Sequence, residues 1–141
     1  KKIRKFIKNE KSKVKSMYIY YDSKTGNVQR FVKKMERQRP DWHFIKIDPN
    51  LKIENEGHFL TFTTKIGEVP ETTDKFLENE NNSKLIKSVS SSGNRNWGVF
   101  FAVAADKIQE KYGIPVLMKF ELSGTNTEVE NYINYLENNY K

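Results

Sequence analysis

The sequence predicts an α/β protein built on a doubly wound, five-stranded parallel sheet with helices on both faces. Three observations carry that expectation. From residue 17 onward, short apolar runs rich in aromatic and β-branched residues alternate with stretches whose apolar residues recur at helical spacing. Five strand candidates alternate in this way with four helix candidates, which suits strand order 2-1-3-4-5. Finally, the loops after strands one, three and four are dense in Gly, Ser, Thr and Asn, and in that order all three open on one edge of the sheet.

Met17, Tyr18, Ile19, Tyr20 and Tyr21 form the first strand, over about 17–22. Val28, Phe31, Val32 and Met35 then predict a helix over 27–38, with Arg30, Lys33 and Lys34 between them and Pro40 beyond its end. Strand two covers 42–47 and stops at Asp48, Pro49 and Asn50. Strand three lies within 57–64, where Phe59, Leu60 and Phe62 are flanked by threonines. Pro70 opens a helix through Phe76 and Leu77, and the polar run 78–83 is expected to be a loop. Strand four is placed at 84–90, a loop at 93–98, and a helix at 99–112 closed by Gly113. Strand five follows at 115–120. The last helix, 126–140, carries Val129, Tyr132, Ile133 and Leu136 at i, i+3, i+4 and i+7.

A chain of 141 residues is expected to form one domain with a core of its own. It has no cysteine, which excludes disulfides, thiolate metal sites and dithiol redox chemistry, so electron transfer would need a bound cofactor. No apolar run approaches the roughly 20 residues of a membrane span, and the N-terminal residues lack a signal-peptide core, so a cytoplasmic protein is expected. The net charge of +7 resides in residues 1–16, which hold eight of the 25 basic residues and one of the 18 acidic ones. Residues 17–141 are formally neutral and offer no basic excess for nucleic acid or an anionic membrane. The division expected is a basic extension over 1–16, disordered or helical, and a folded domain over 17–141.

The first loop, Ser23, Lys24, Thr25, Gly26 and Asn27, leads into the helix that Val28 begins to bury. A phosphate there would meet free backbone N–H groups, the positive end of the helix dipole and two hydroxyls. Ser, Thr and Asn are also ordinary helix caps, and the convergence of three loops is what favours the phosphate. The loop lacks the glycine pattern of dinucleotide sites and the Gly-Lys-Ser/Thr of triphosphate loops, so a monophosphate fits better. The loop after strand four, Ser92, Gly93, Asn94, Arg95, Asn96, Trp97 and Gly98, could read the polar edge of a flat heterocycle, with Trp97 stacked on its face or anchored in the core. Elsewhere His43 and His58 lack metal-ligand spacing, Glu128 and Glu130 fall on different sides of a helix, and Ser90 to Ser92 have no neighbouring base.

Tyr21 to Phe31, then Gly67, Glu68, Val69 and Pro70, then Ser92 to Gly98, then Lys119 to Thr125, together resemble the NrdI family over nearly all of the chain from Met17. The resemblance implies a flavodoxin-like fold, an FMN cofactor, and a role as accessory to class Ib ribonucleotide reductase. Reduced FMN would react with O2, and the oxidant, superoxide in the usual account, would reach the dimetal site of the radical subunit NrdF. An electron donor of flavodoxin, thioredoxin-reductase or other type is implied as well. It implies that Ser23, Lys24, Thr25, Gly26, Asn27 and Val28 surround the phosphate. Thr63, Thr64, Lys65, Ile66 and Gly67 would border one side of the isoalloxazine, with Ser92, Gly93, Asn94, Asn96, Trp97 and Gly98 at the other side and the pyrimidine edge. No acid/base side chain is required, because the cofactor carries the electrons. Short-loop relatives often read Thr-Gly-Phe-Gly where this chain has Thr64, Lys65, Ile66 and Gly67. Lysine resists the positive φ that lets a glycine peptide flip, while its ammonium would favour an anionic reduced flavin. The alternative is an ordinary flavodoxin-like electron carrier.

Overall fold

The structure, a computed structural model, describes residues 17–64 and 67–140. The expected N-terminal extension and the expectations for Lys65 and Ile66 lie outside those residues.

Strands β1 (Tyr18–Tyr21), β2 (His43–Lys46), β3 (Gly57–Phe62), β4 (Ile86–Gly93) and β5 (Val116–Glu121) form one sheet of order β2-β1-β3-β4-β5. Every pair is parallel, as the alternation of strand and helix candidates requires. Tyr21 lies opposite Leu60, and Phe62 opposite Ser92, so the three central strands end nearly level. Successive side chains on β1 and β3 serve opposite faces. Ile19 and Leu60 join Phe31, Val32, Met35, Phe120, Tyr132, Ile133 and Leu136 beneath helices α1 (Asn27–Gln38) and α5 (Asn126–Asn139). Tyr20 and Phe59 join Phe76, Leu77, Val89, Ala105 and Ile108 on the other face, under α2 (Glu71–Glu78), α3 (Glu80–Leu85) and α4 (Ala104–Tyr112). Burial on both faces explains the near-continuous apolar strands.

Three predicted boundaries are corrected. The run 78–83 contains a short helix, α3, because Asn79 Oδ1 accepts from the Asn81 and Asn82 amides and starts a new turn. Asn82 is fully buried in it, its Oδ1 accepting from Ile53 N and its Nδ2 donating to the Leu51 and Phe76 carbonyls. Strand β4 continues through Ser91 and Ser92 to Gly93, where a loop was expected to begin. The helix expected at 99 begins at Ala104. Residues Arg95–Phe100 form tight 3-10 turns broken at Gly98, whose φ of 58° and ψ of −121° are not helical. Two hydroxyls, one just past β3 and one on β4, set the start of α4: Thr63 Oγ1 accepts from Ala104 N at 3.1 Å and Ser91 Oγ from Ala105 N at 3.2 Å.

Candidate functional site at the carboxyl edge of the sheet

The loops after β1, β3 and β4 are laced together at the strand ends. Asp22 N donates to the Leu60 carbonyl at 2.9 Å, Thr63 N to Ser92 O at 3.0 Å, and Leu122 N, beyond β5, to Gly93 O at 2.9 Å. Strand order reverses between β1 and β3, so this edge is the switch point of the sheet.

Gly26 occupies the N-cap of α1 with φ 94°, a left-handed conformation that glycine adopts without a Cβ penalty. Ser23 is buried and its Oγ accepts from Gln29 N at 3.2 Å, while Arg30 N donates to Gly26 O at 2.9 Å. Asn27 and Val28, the first two helical residues, therefore keep amides without an intrahelical acceptor. No acidic residue stands in the first turn of α1, whereas α2, α3, α4 and α5 carry Glu71, Glu80, Asp106 and Glu128 there. The dipole of α1 is thus left for an outside anion to complement. Lys24 and Thr25 are exposed, and the Val28 side chain is in the core, so only its backbone faces the edge.

On the β3 side, Thr64 Oγ1 accepts from Glu68 N and its carbonyl from Gly67 N at 2.9 Å, giving a tight turn. Gly67 has φ 75° and lies against the Phe100 ring. Thr63 is buried with its hydroxyl on α4. On the β4 side, Ser92 Oγ donates to Leu122 O at 2.7 Å, and Asn94 Oδ1 accepts from Asn96 N at 2.9 Å. A Cβ on Gly93 would meet Ala102 N at 2.4 Å, so the two backbones touch. Trp97 is half-buried, and Asn96 and Gly98 are exposed. Arg95 pairs with Glu121 at 3.6 Å and lies over the Phe101 ring.

Several groups at this edge were given no site role from the sequence, although the runs that hold them carried the family resemblance. Asp22 is buried, and Thr73 Oγ1 donates to its Oδ2 at 2.7 Å, with Thr61 hydrogen-bonded to Thr73 in turn. Burial pushes the Asp22 carboxyl up, against the Thr73 bond and the charge of Lys46. Glu121, Ser123 and Arg30 also belong here. Ser123 and Gly124 form another Ser/Gly loop at the end of a strand, a signal that the switch-point rule could have used. The β1 loop contributes to two clefts, one of about 650 Å³ between Asn27, Arg95, Glu121 and Ser123, the other of about 500 Å³ between Ser23, Lys46, Asp48, Thr64 and Glu71. Among the described residues no group of His, Asp and Glu could hold a metal ion. His58 is instead buried, with Nδ1 2.7 Å from Ser88 Oγ. Glu128 has a local task, closing a capping box with Thr125.

The family model described as NrdI Flavodoxin like matches residues 19–134. Protein NrdI of Bacillus licheniformis is 45% identical over 119 residues, covering 84% of this chain and 86% of that protein. The SPbeta prophage-derived protein NrdI of Bacillus subtilis is 44% identical over 113 residues, covering 80% of this chain and 85% of that protein. Among solved structures, a short-chain flavodoxin associated with a PDU bacterial microcompartment aligns over 86% of this chain and 94% of its own, with a TM-score of 0.64 and 16% identity, a likeness of fold alone. Sheet order, loop placement and these matches agree, and the chain belongs to the NrdI flavodoxin-like family.

Proposed function

We propose that this protein binds FMN along the carboxyl edge of the sheet and serves class Ib ribonucleotide reductase, converting O2 to superoxide for the dimetal site of the radical subunit NrdF. The observation that carries the reading is the start of α1 in a chain of this family. It has a left-handed glycine, two amides without intrahelical acceptors and no acidic residue in its first turn, where each of the other four α-helices of the described residues has at least one. That donor set suits a phosphate monoester.

Ser23, Lys24, Thr25, Gly26, Asn27 and Val28 would hold the phosphate, Val28 through its amide. Thr64, Lys65, Ile66 and Gly67 would border one side of the isoalloxazine, and Gly93, Asn94, Asn96, Trp97 and Gly98 the other side and the pyrimidine edge. Thr63 and Ser92 act through what they hold, since their hydroxyls bond to Ala104 N and Leu122 O. Once reduced by an external electron donor, bound FMN would supply the electrons, one of which would reduce O2 to superoxide. The residues around it set access. Val99, Phe100 and Leu122 are three of the four large exposed apolar residues among those described, and all three stand beside this edge, where NrdF would seat. Among the described residues no helix is long and apolar enough to cross a membrane. A cytoplasmic setting and a self-sufficient domain over 17–141 are part of the same reading.

Anaerobic reduction of the purified protein followed by air, with flavin absorbance and superoxide recorded together, tests it. Stoichiometric FMN and rapid reoxidation with superoxide release are expected. Slow reoxidation without superoxide would favour a simple electron carrier, and no FMN uptake would end the cofactor reading.

A further inference from the structure

We infer that the turn after β5, residues 121–124, is a further wall of the cofactor site, and that Arg30 is the positioning residue through which it favours a phosphorylated flavin. The inference rests on the FMN reading above.

Arg30, one turn into α1, donates from Nε to Ser123 Oγ at 2.8 Å and from Nη2 to Asn27 Oδ1 at 2.6 Å. Ser123 Oγ donates in turn to Asn27 Oδ1 at 3.1 Å, closing a triangle between helix and turn. The consequence for Asn27 is chemical. Its amide oxygen accepts two hydrogen bonds, so the group it retains for a ligand is the NH2, a donor. An anion at the helix start needs donors and is repelled by a carbonyl oxygen. Without the triangle the amide is free to rotate and present that oxygen instead.

The same turn reaches the loop proposed for the heterocycle. Glu121 Oε2 accepts from Arg95 N at 3.0 Å, Ser92 Oγ donates to Leu122 O, and Leu122 N donates to Gly93 O. Lys34 Nζ donates to Gly124 O at 2.7 Å, fastening the turn to α1 a second time. Leu122 has a φ of 51°, a left-handed conformation that a leucine keeps only where its surroundings impose it. The turn thus ties together the loops proposed for the two ends of the cofactor.

The test compares dissociation constants for FMN and riboflavin, which lacks the phosphate, in the full chain by flavin fluorescence quenching. Arg30→Gln and Ser123→Ala are expected to weaken FMN about tenfold while riboflavin stays within about twofold. Ser123→Thr, which keeps the hydroxyl, restores FMN binding. Lys33→Gln, which removes the same unit charge from the exposed face of α1, leaves both constants unchanged. Equal losses for both flavins in the Arg30 and Ser123 variants, or unchanged FMN binding, would overturn the inference while leaving the FMN reading intact. If the parent protein took up neither flavin, that reading would fail and the inference with it.

Discussion

Gly93→Ala is predicted to be among the most damaging one-carbon substitutions in this chain, for reasons of space alone. The new Cβ would lie 2.4 Å from Ala102 N, 2.9 Å from Ala102 Cα and 3.2 Å from Ala102 Cβ, mostly backbone. Relief to an ordinary contact needs a movement of about 1 Å, and both partners are tied down. Ala102 is fully buried with φ 50°, and its carbonyl accepts from Ser91 Oγ at 2.6 Å. Gly93 O accepts from Leu122 N at 2.9 Å. Stretching either bond by about 1 Å breaks it, at about 1 kcal/mol for the bond and more for a buried group left unpaired. With overpacking of about 1–3 kcal/mol, a total near 3 kcal/mol is expected. Urea unfolding reads this as a midpoint about 1.5 M lower, for a slope of about 2 kcal/mol/M. Gly113→Ala is the control. Nothing lies within 4 Å of its would-be Cβ, and its left-handed φ of 72° and ψ of 15° cost about 1 kcal/mol. A Gly93→Ala midpoint equal to the parent's, or above that of Gly113→Ala, would refute the packing argument.

Four other outcomes are expected. Gln29→Glu gives α1 the first-turn acid that its fellow helices have, so the apoprotein gains about 0.5 kcal/mol while FMN affinity falls; a gain in thermal midpoint with no loss of FMN affinity would mark the helix start as a plain cap. Asn82→Ala orphans Ile53 N and the Leu51 and Phe76 carbonyls and should cost about 3 kcal/mol in urea unfolding. Burial lowers the His58 pKa to about 4, helped by Lys87 and opposed by Glu56. The unfolded chain therefore takes up that proton near pH 6.5 while the folded one resists it, and about 3 kcal/mol present above pH 6.5 is lost as pH falls towards 4. His58→Gln removes that slope, and comparing parent and variant by thermal unfolding cancels Asp22, whose raised pKa acts in the opposite sense. Removing residues 1–16 leaves FMN affinity unchanged, as a titration of the truncated chain would read.

What could be read in the sequence was what depends on local period. Val28, Phe31, Val32 and Met35, and Val129, Tyr132, Ile133 and Leu136, all face the core from helices whose limits fell within a residue of the expected ones. The first loop was legible because Gly26 and the helix after it are neighbours in the chain. Features decided by distant partners were not. α4 starts where hydroxyls of Thr63 and Ser91 receive its amides, and the serines of β4 looked like loop residues although they are small, buried and paired on both sides. α3 depends on a buried asparagine, which apolar periodicity cannot register. The Arg30 and Ser123 contact joins residues 93 apart, and only the fold brings them together.

Titration of the purified apoprotein with FMN and, separately, riboflavin tests whether this edge holds a flavin by its phosphate. One equivalent of FMN is expected, bound at least about a hundredfold more tightly than riboflavin, as charge-assisted bonds worth about 3 kcal/mol at the helix start would give. Equal affinities for the two, or no FMN uptake, would show that no phosphate is held there.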